Sequence, residues 1–158
     1  MPSSPTLLTP DSELLQRIRG LRSQLEKEFA PDTAAPGFAG NTPSTGHCAA
    51  VSTIIHEILG GDLVSAKVSG VSHWFNRLPG IDGLDLDVDL TGDQFGLSDV
   101  QVAAAGQLYP ETRVRTFHEL NYETLARART LAARSGFPHV VAVIDRALNA
   151  LPIRKPSK

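Results

Sequence analysis

The chain is 158 residues long, 41% hydrophobic and 20% charged, enough apolar material for one domain with a buried core and too much for a disordered chain. Fifteen Lys and Arg stand against seventeen Asp and Glu, a formal net charge of -2, so the clustered positive surplus that phosphate binding requires is missing and nucleic acid is not an expected partner. No apolar run reaches the ~18 residues of a membrane span, the opening Met1 to Thr6 lacks the charged and apolar regions of a signal peptide, and the single cysteine excludes an internal disulfide framework and any CxxC zinc site. A cytoplasmic protein with no membrane partner is expected.

Residues 1–10 hold three prolines and read as a flexible lead-in to a single domain over 11–151, with a flexible tail over 152–158. From Asp11, a helix-capping type, Leu14, Ile18, Leu21 and Leu25 recur on one face and predict a helix to about Phe29. Three prolines and three glycines make 30–46 a loop. Val51, Ile54, Ile55, Ile58 and Leu59 then follow helical spacing, predicting a helix from His47 or Cys48 that stops at Gly60-Gly61. Packing has to select it, because β-branched isoleucine does not favour helix by propensity.

Residues 62–69, 71–78 and 84–90 read as strands, with Pro79, Gly80, Asp82 and Gly83 supplying turn chemistry between the second and third. The third alternates Leu84, Leu86, Val88 and Leu90 with Asp85, Asp87 and Asp89. Residues 91–112 carry no clear periodicity, and a short strand is predicted near Arg113–Thr116. Helices over Tyr122–Arg134, stopped by Gly136, and from Pro138 to Leu151 complete an α+β order.

Cys48 follows a Ser/Thr/Gly loop and opens an apolar helix. At that position the helix dipole and unpaired backbone N–H groups favour a thiolate and can donate to an oxyanion. A thiolate nucleophile needs a base, and the base needs an orienting acceptor. His73 lies on the second predicted strand and Asp89 on the third. In an antiparallel hairpin, positions facing one another have a constant sum. His73 opposite Asp89 gives 162 and centres the hairpin on Ile81, within the turn residues.

Each residue also has a plain structural alternative. A lone Cys is commonly a buried space-filler, a His beside Trp-Phe can be a satisfied core residue, and the aspartates can form the solvent face of an edge strand. Together, in order and with a fitting hairpin centre, the three favour a site. His47 reads as a rim residue, and Asn76 and Arg77 as substrate-contacting or merely solvated. A zinc site from His47, Cys48, His73 and Asp89, or a calcium site from Asp82, Asp85, Asp87 and Asp89, matches no recurrent ligand spacing, so neither metal nor cofactor is expected.

Gly46-His47-Cys48-Ala49-Ala50, Gly60-Gly61, His73-Trp74-Phe75-Asn76-Arg77 and Asp89-Leu90-Thr91-Gly92-Asp93-Gln94-Phe95 together resemble the YunG family of small bacterial proteins over roughly residues 41–95. More remotely, a Cys at a helix start, then His before an aromatic on a strand, then Asp-Leu-Thr on the next, is similar to transglutaminase-like and papain-like cysteine enzymes. That resemblance implies Cys48 as nucleophile, His73 as general base and acid, and Asp89 as orienting carboxylate. Thr91, Gln94 and Phe95 match the motif with a structural role only. The Cys48 to His73 spacing is shorter than in the larger transglutaminases, so their substrate-binding insertions are absent, and no separate upstream oxyanion-hole side chain is identifiable, Asn41 and Ser44 being the candidates.

The expected fold is therefore α+β and cysteine-protease-like, an N-terminal helix carrying Cys48 packed on an antiparallel sheet carrying His73 and Asp89. The expected function is thiol-dependent hydrolysis or acyl transfer on a small-molecule, peptide or protein amide or ester, through a thioester. The competing expectation is a catalytically silent binding or regulatory module on the same scaffold.

Overall fold

The structure is a computed structural model that describes residues 13–34, 47–68, 71–79, 85–91, 100–116 and 119–150. In chain order its elements are helix α1 (Glu13–Glu26), a 3-10 turn (Pro31–Thr33), helix α2 (Cys48–Leu59), strands β1 (Asp62–Val68), β2 (Val71–Leu78), β3 (Leu86–Asp89), β4 (Gln101–Ala104) and β5 (Arg113–Arg115), and helices α3 (Tyr122–Ser135) and α4 (Pro138–Ala150). The strands form one sheet in the order β4-β3-β2-β1-β5, and every pairing is antiparallel. The fold is thus α+β. No helix among the described residues is long and apolar enough to cross a membrane.

Strand alternation divides the sheet into two faces. On one, Leu63, Leu78, Val88 and Val102 pack in the main core with Ile18 and Leu25 of α1, Val51, Ile54 and Ile55 of α2, Leu125 and Leu131 of α3, and Val140 and Ile144 of α4. Asn76 shares this face and donates from Nδ2 to the Ser52 carbonyl of α2 at 2.9 Å, which fixes the helix along β2. On the opposite face Val64, Ala66 and Phe75 form a second cluster, closed by Tyr109.

Tyr109 comes from residues 105–112, the connection between β4 and β5. These strands are the two edges of the sheet, so the connection has to cross the full width of the sheet, on the face the helices leave open. Polar contacts hold it there. Gly106 N donates to Asp87 Oδ2 at 2.8 Å. Arg77, paired to Asp87 through two hydrogen bonds of 2.6 and 3.0 Å, also donates to Thr112 Oγ1 at 3.1 Å.

The helices and β1, β2, β3 and β5 fall where the sequence predicts them, apart from end residues. Two facing assignments change. In α1 the buried stripe is Leu15, Ile18, Leu21, Arg22 and Leu25, with Leu14 only half-buried. Ile58 and Leu59 of α2 are likewise half-buried, because the helix ends there at Gly60 and Gly61, both at positive φ. A Cβ on Gly61 would lie 2.3 Å from the Arg77 carbonyl oxygen, so this turn accepts only glycine.

Strand β4 lies in the stretch that carries no periodicity. Its presence makes β3 an interior strand, and the 105–112 connection covers the aspartate face, which is therefore not solvated: Asp87 and Asp89 are both fully buried, and only Asp85 is exposed. The lead-in over 1–10, the Asp11 cap, the turn near Ile81, Gln94, Phe95 and the tail over 152–158 lie outside the described residues.

Candidate functional site

Cys48 is the first residue of α2 and is half-buried. The first helical hydrogen bond runs from Val51 N to the His47 carbonyl at 2.9 Å. The backbone N–H groups of Cys48, Ala49 and Ala50 therefore precede the helical ladder and point out of the helix start.

His73 and Asp89 meet, by a register that differs from the predicted one. Asn76 pairs with Val88, Arg77 with Asp87 and Leu78 with Leu86. Each pair sums to 164, which centres the hairpin on position 82. His73 is thus diagonal to Asp89 and not opposite it. A slip of two residues keeps both side chains on the same face, where a slip of one would have separated them. Diagonal neighbours remain within reach of long side chains, and His73 Nε2 lies 2.8 Å from Asp89 Oδ2.

Because an ionised carboxylate only accepts, Nε2 carries the hydrogen in this bond. The second ring nitrogen, Nδ1, is then the one able to serve the Cys48 sulfur. Burial lowers the basicity of His73, but the Asp89 hydrogen bond, a Cys48 side-chain hydrogen bond and the charges of both groups outweigh it and raise its pKa to about 9.

The Asp89 carboxylate is saturated. Oδ1 accepts from Thr91 N at 2.9 Å and Thr91 Oγ1 at 3.2 Å. Oδ2 accepts from His73 and from the Tyr109 hydroxyl. Burial first, then the Asp89 charge and hydrogen bond and the charge of Cys48, push the Tyr109 phenol far up, so it remains a neutral donor. Four donors on one buried carboxylate fix its plane.

A further layer braces the two ends of the site. His47 is buried, not a rim residue: its N-cap backbone turns the ring inward, where it stacks on Phe29 at 4.1 Å and bonds Thr33 Oγ1 at 2.6 Å. Arg22, 2% exposed, donates to the Leu90 carbonyl at 2.7 Å, between Asp89 and Thr91, and lies over the Phe29 ring at 5.4 Å. One guanidinium thus links α1 to the end of β3 and, through the Phe29 ring, to the residue preceding Cys48.

Asn76 and Arg77 are structural, engaged with Ser52 and Asp87 as described, and Asn76 is 1% exposed. Asn41 and Ser44 lie outside the described residues. Among the described residues no group of three His, Cys, Asp or Glu is placed to hold a metal ion.

The sequence reading missed Tyr109, Arg22 and the bracing role of His47. Arg22 left a usable signal: it stands four residues after Ile18 and three before Leu25, inside the apolar stripe, where a charge has to be paired. Tyr109 left none, because its place depends on strand order alone.

The architecture is that of an α+β protein with a buried imidazole–carboxylate pair beside a helix-start cysteine. A family model described as YunG protein matches residues 17–133, a span that includes every site residue above, and the chain belongs to the YunG family. No curated protein and no solved structure matches the chain.

Proposed function

We propose that the protein is a thiol-dependent hydrolase or acyltransferase acting on an amide or ester, with Cys48 as nucleophile, His73 as general base and acid, and Asp89 as orienting carboxylate. The observation that carries this reading is His73, held on Nε2 by Asp89 at 2.8 Å with Cys48 near enough to help raise its pKa. Cys48, His73 and Asp89 on a helix start and two adjacent antiparallel strands also follow the order of papain-like and transglutaminase-like enzymes, and the cysteine-protease-like variety of α+β fold belongs to this proposal. So does a reducing, cytoplasmic setting, which keeps a lone thiol available.

In the proposed reaction the Cys48 proton passes to His73, and the sulfur attacks the substrate carbonyl carbon. The oxyanion forms against the backbone N–H groups at the start of α2. As the carbon–nitrogen or carbon–oxygen bond breaks, His73 returns the proton to the leaving group and a thioester remains. Water then attacks, with His73 taking its proton, to release the acid and restore the thiol. An amine in place of water gives transfer.

A nitrophenyl ester tests this directly, with intact mass as the readout. An acyl adduct on Cys48 that forms and then clears is the expected result, absent in Cys48→Ala and formed more slowly in His73→Ala. Acylation no faster than that of glutathione, or equal in wild type and His73→Ala, would overturn the reading in favour of a binding module.

A further inference from the structure

We propose that Tyr109 is a positioning residue of this site, whose hydroxyl shares Asp89 Oδ2 with His73 and so limits how tightly the carboxylate holds the imidazolium. The consequence for catalysis rests on the Cys48–His73–Asp89 reading above; the placement of Tyr109 does not.

Both donors address one oxygen, and a carboxylate oxygen has lone pairs for two. A phenol donating to that oxygen withdraws part of the charge that would otherwise face His73. The Tyr109 ring cannot drift from this position. It meets His73 edge-on at 5.3 Å and Phe75 at 5.2 Å between ring centroids, and is 5% exposed in the Val64, Ala66, Phe75 cluster. Its backbone segment is anchored on either side through Gly106 to Asp87 and Thr112 to Arg77.

Among the described residues, the titratable groups facing His73 are Cys48 from α2, Asp89 from β3 and Tyr109 from the β4–β5 connection. β1 presents Ala66 opposite it, and Arg77 and Asp87, further along the face, neutralise one another. A general acid works best with a pKa near the operating pH. An imidazolium held by Asp89 alone would release its proton to a leaving group reluctantly. Tyr109 moves it toward the useful range.

Tyr109→Phe keeps the ring and removes only the hydroxyl. Followed by NMR, the His73 titration midpoint is expected to rise by about one pH unit, whereas Val64→Ala, which loosens the same cluster, leaves it in place. The chain has two tyrosines, so fluorotyrosine incorporated in a Tyr122→Phe background reports on Tyr109 alone and does not depend on Tyr109→Phe folding. The more acidic phenol donates more strongly, and the midpoint is expected to fall. A midpoint unmoved by the hydroxyl deletion or by fluorination, or moved equally by Val64→Ala, would overturn the assignment. The titration does not require a reactive cysteine. Shifts as expected with an inert Cys48 would sink the catalytic reading and leave Tyr109 standing, and an active Cys48 with an unmoved midpoint would do the reverse.

Discussion

Asp89→Asn is expected to cost about 3–5 kcal/mol in urea unfolding at neutral pH, the range for removing one partner of a buried ion pair. The substitution preserves size, so no cavity term enters. It replaces an acceptor-only group, fully buried and engaged by His73, Tyr109 and Thr91, with one whose NH2 end can accept from none of them. At least one donor is then left facing another donor without water.

The cost carries a pH signature. The folded-state pKa of His73 is raised from 6.5 to about 9, so the stabilisation it supplies is fully present below 6.5 and is lost as the pH rises through about 9. The gap between wild type and Asp89→Asn is therefore expected to narrow over that window. A gap constant from neutral to alkaline pH would show that Asp89 serves packing and not the imidazolium.

His73→Ala is expected to slow alkylation of Cys48 by iodoacetamide about 10- to 100-fold at pH 6.5. Two pH units below the ~8.5 of a free thiol, an unassisted cysteine is about 1% thiolate, which sets the upper end; the lower nucleophilicity of an assisted thiolate sets the lower one. His56 provides the control. It lies on the last turn of the same helix, eight residues after Cys48 and 3.9 Å from Glu57. His56→Ala is expected to leave the rate unchanged. Equal slowing by both substitutions would remove His73 from the role of base.

The residues of the candidate site were legible because local pattern constrained them. Cys48 opens an apolar helix with Val51, Ile54 and Ile55 at core spacing, and these three are buried as expected. His73 and Asp89 fall on strands whose intervening sequence carries recognisable turn residues, and parity put them on one face even though the register sum is 164 and not 162. A turn fixes a hairpin centre only to within a residue or so, and the side-chain period of two then decides what survives the error.

What could not be read locally depends on long-range order. The burial of Asp87 and Asp89 requires β4 beside β3 and a chain crossing the sheet to β5, neither of which is marked by alternation near residues 91–112. Charged residues in that setting look solvated in sequence and are paired in the fold. The same holds for His47, whose neighbours Phe29 and Thr33 are separated from it by a stretch of sequence without periodicity.

Thiolate absorbance in the ultraviolet, titrated in wild type against Cys48→Ser, tests the pairing of sulfur and imidazole most directly. A signal at neutral pH that is absent from the serine variant and diminished in His73→Ala is the predicted result. A signal that emerges only as the pH passes about 8.5, as for a free thiol, and is indifferent to His73 would contradict it.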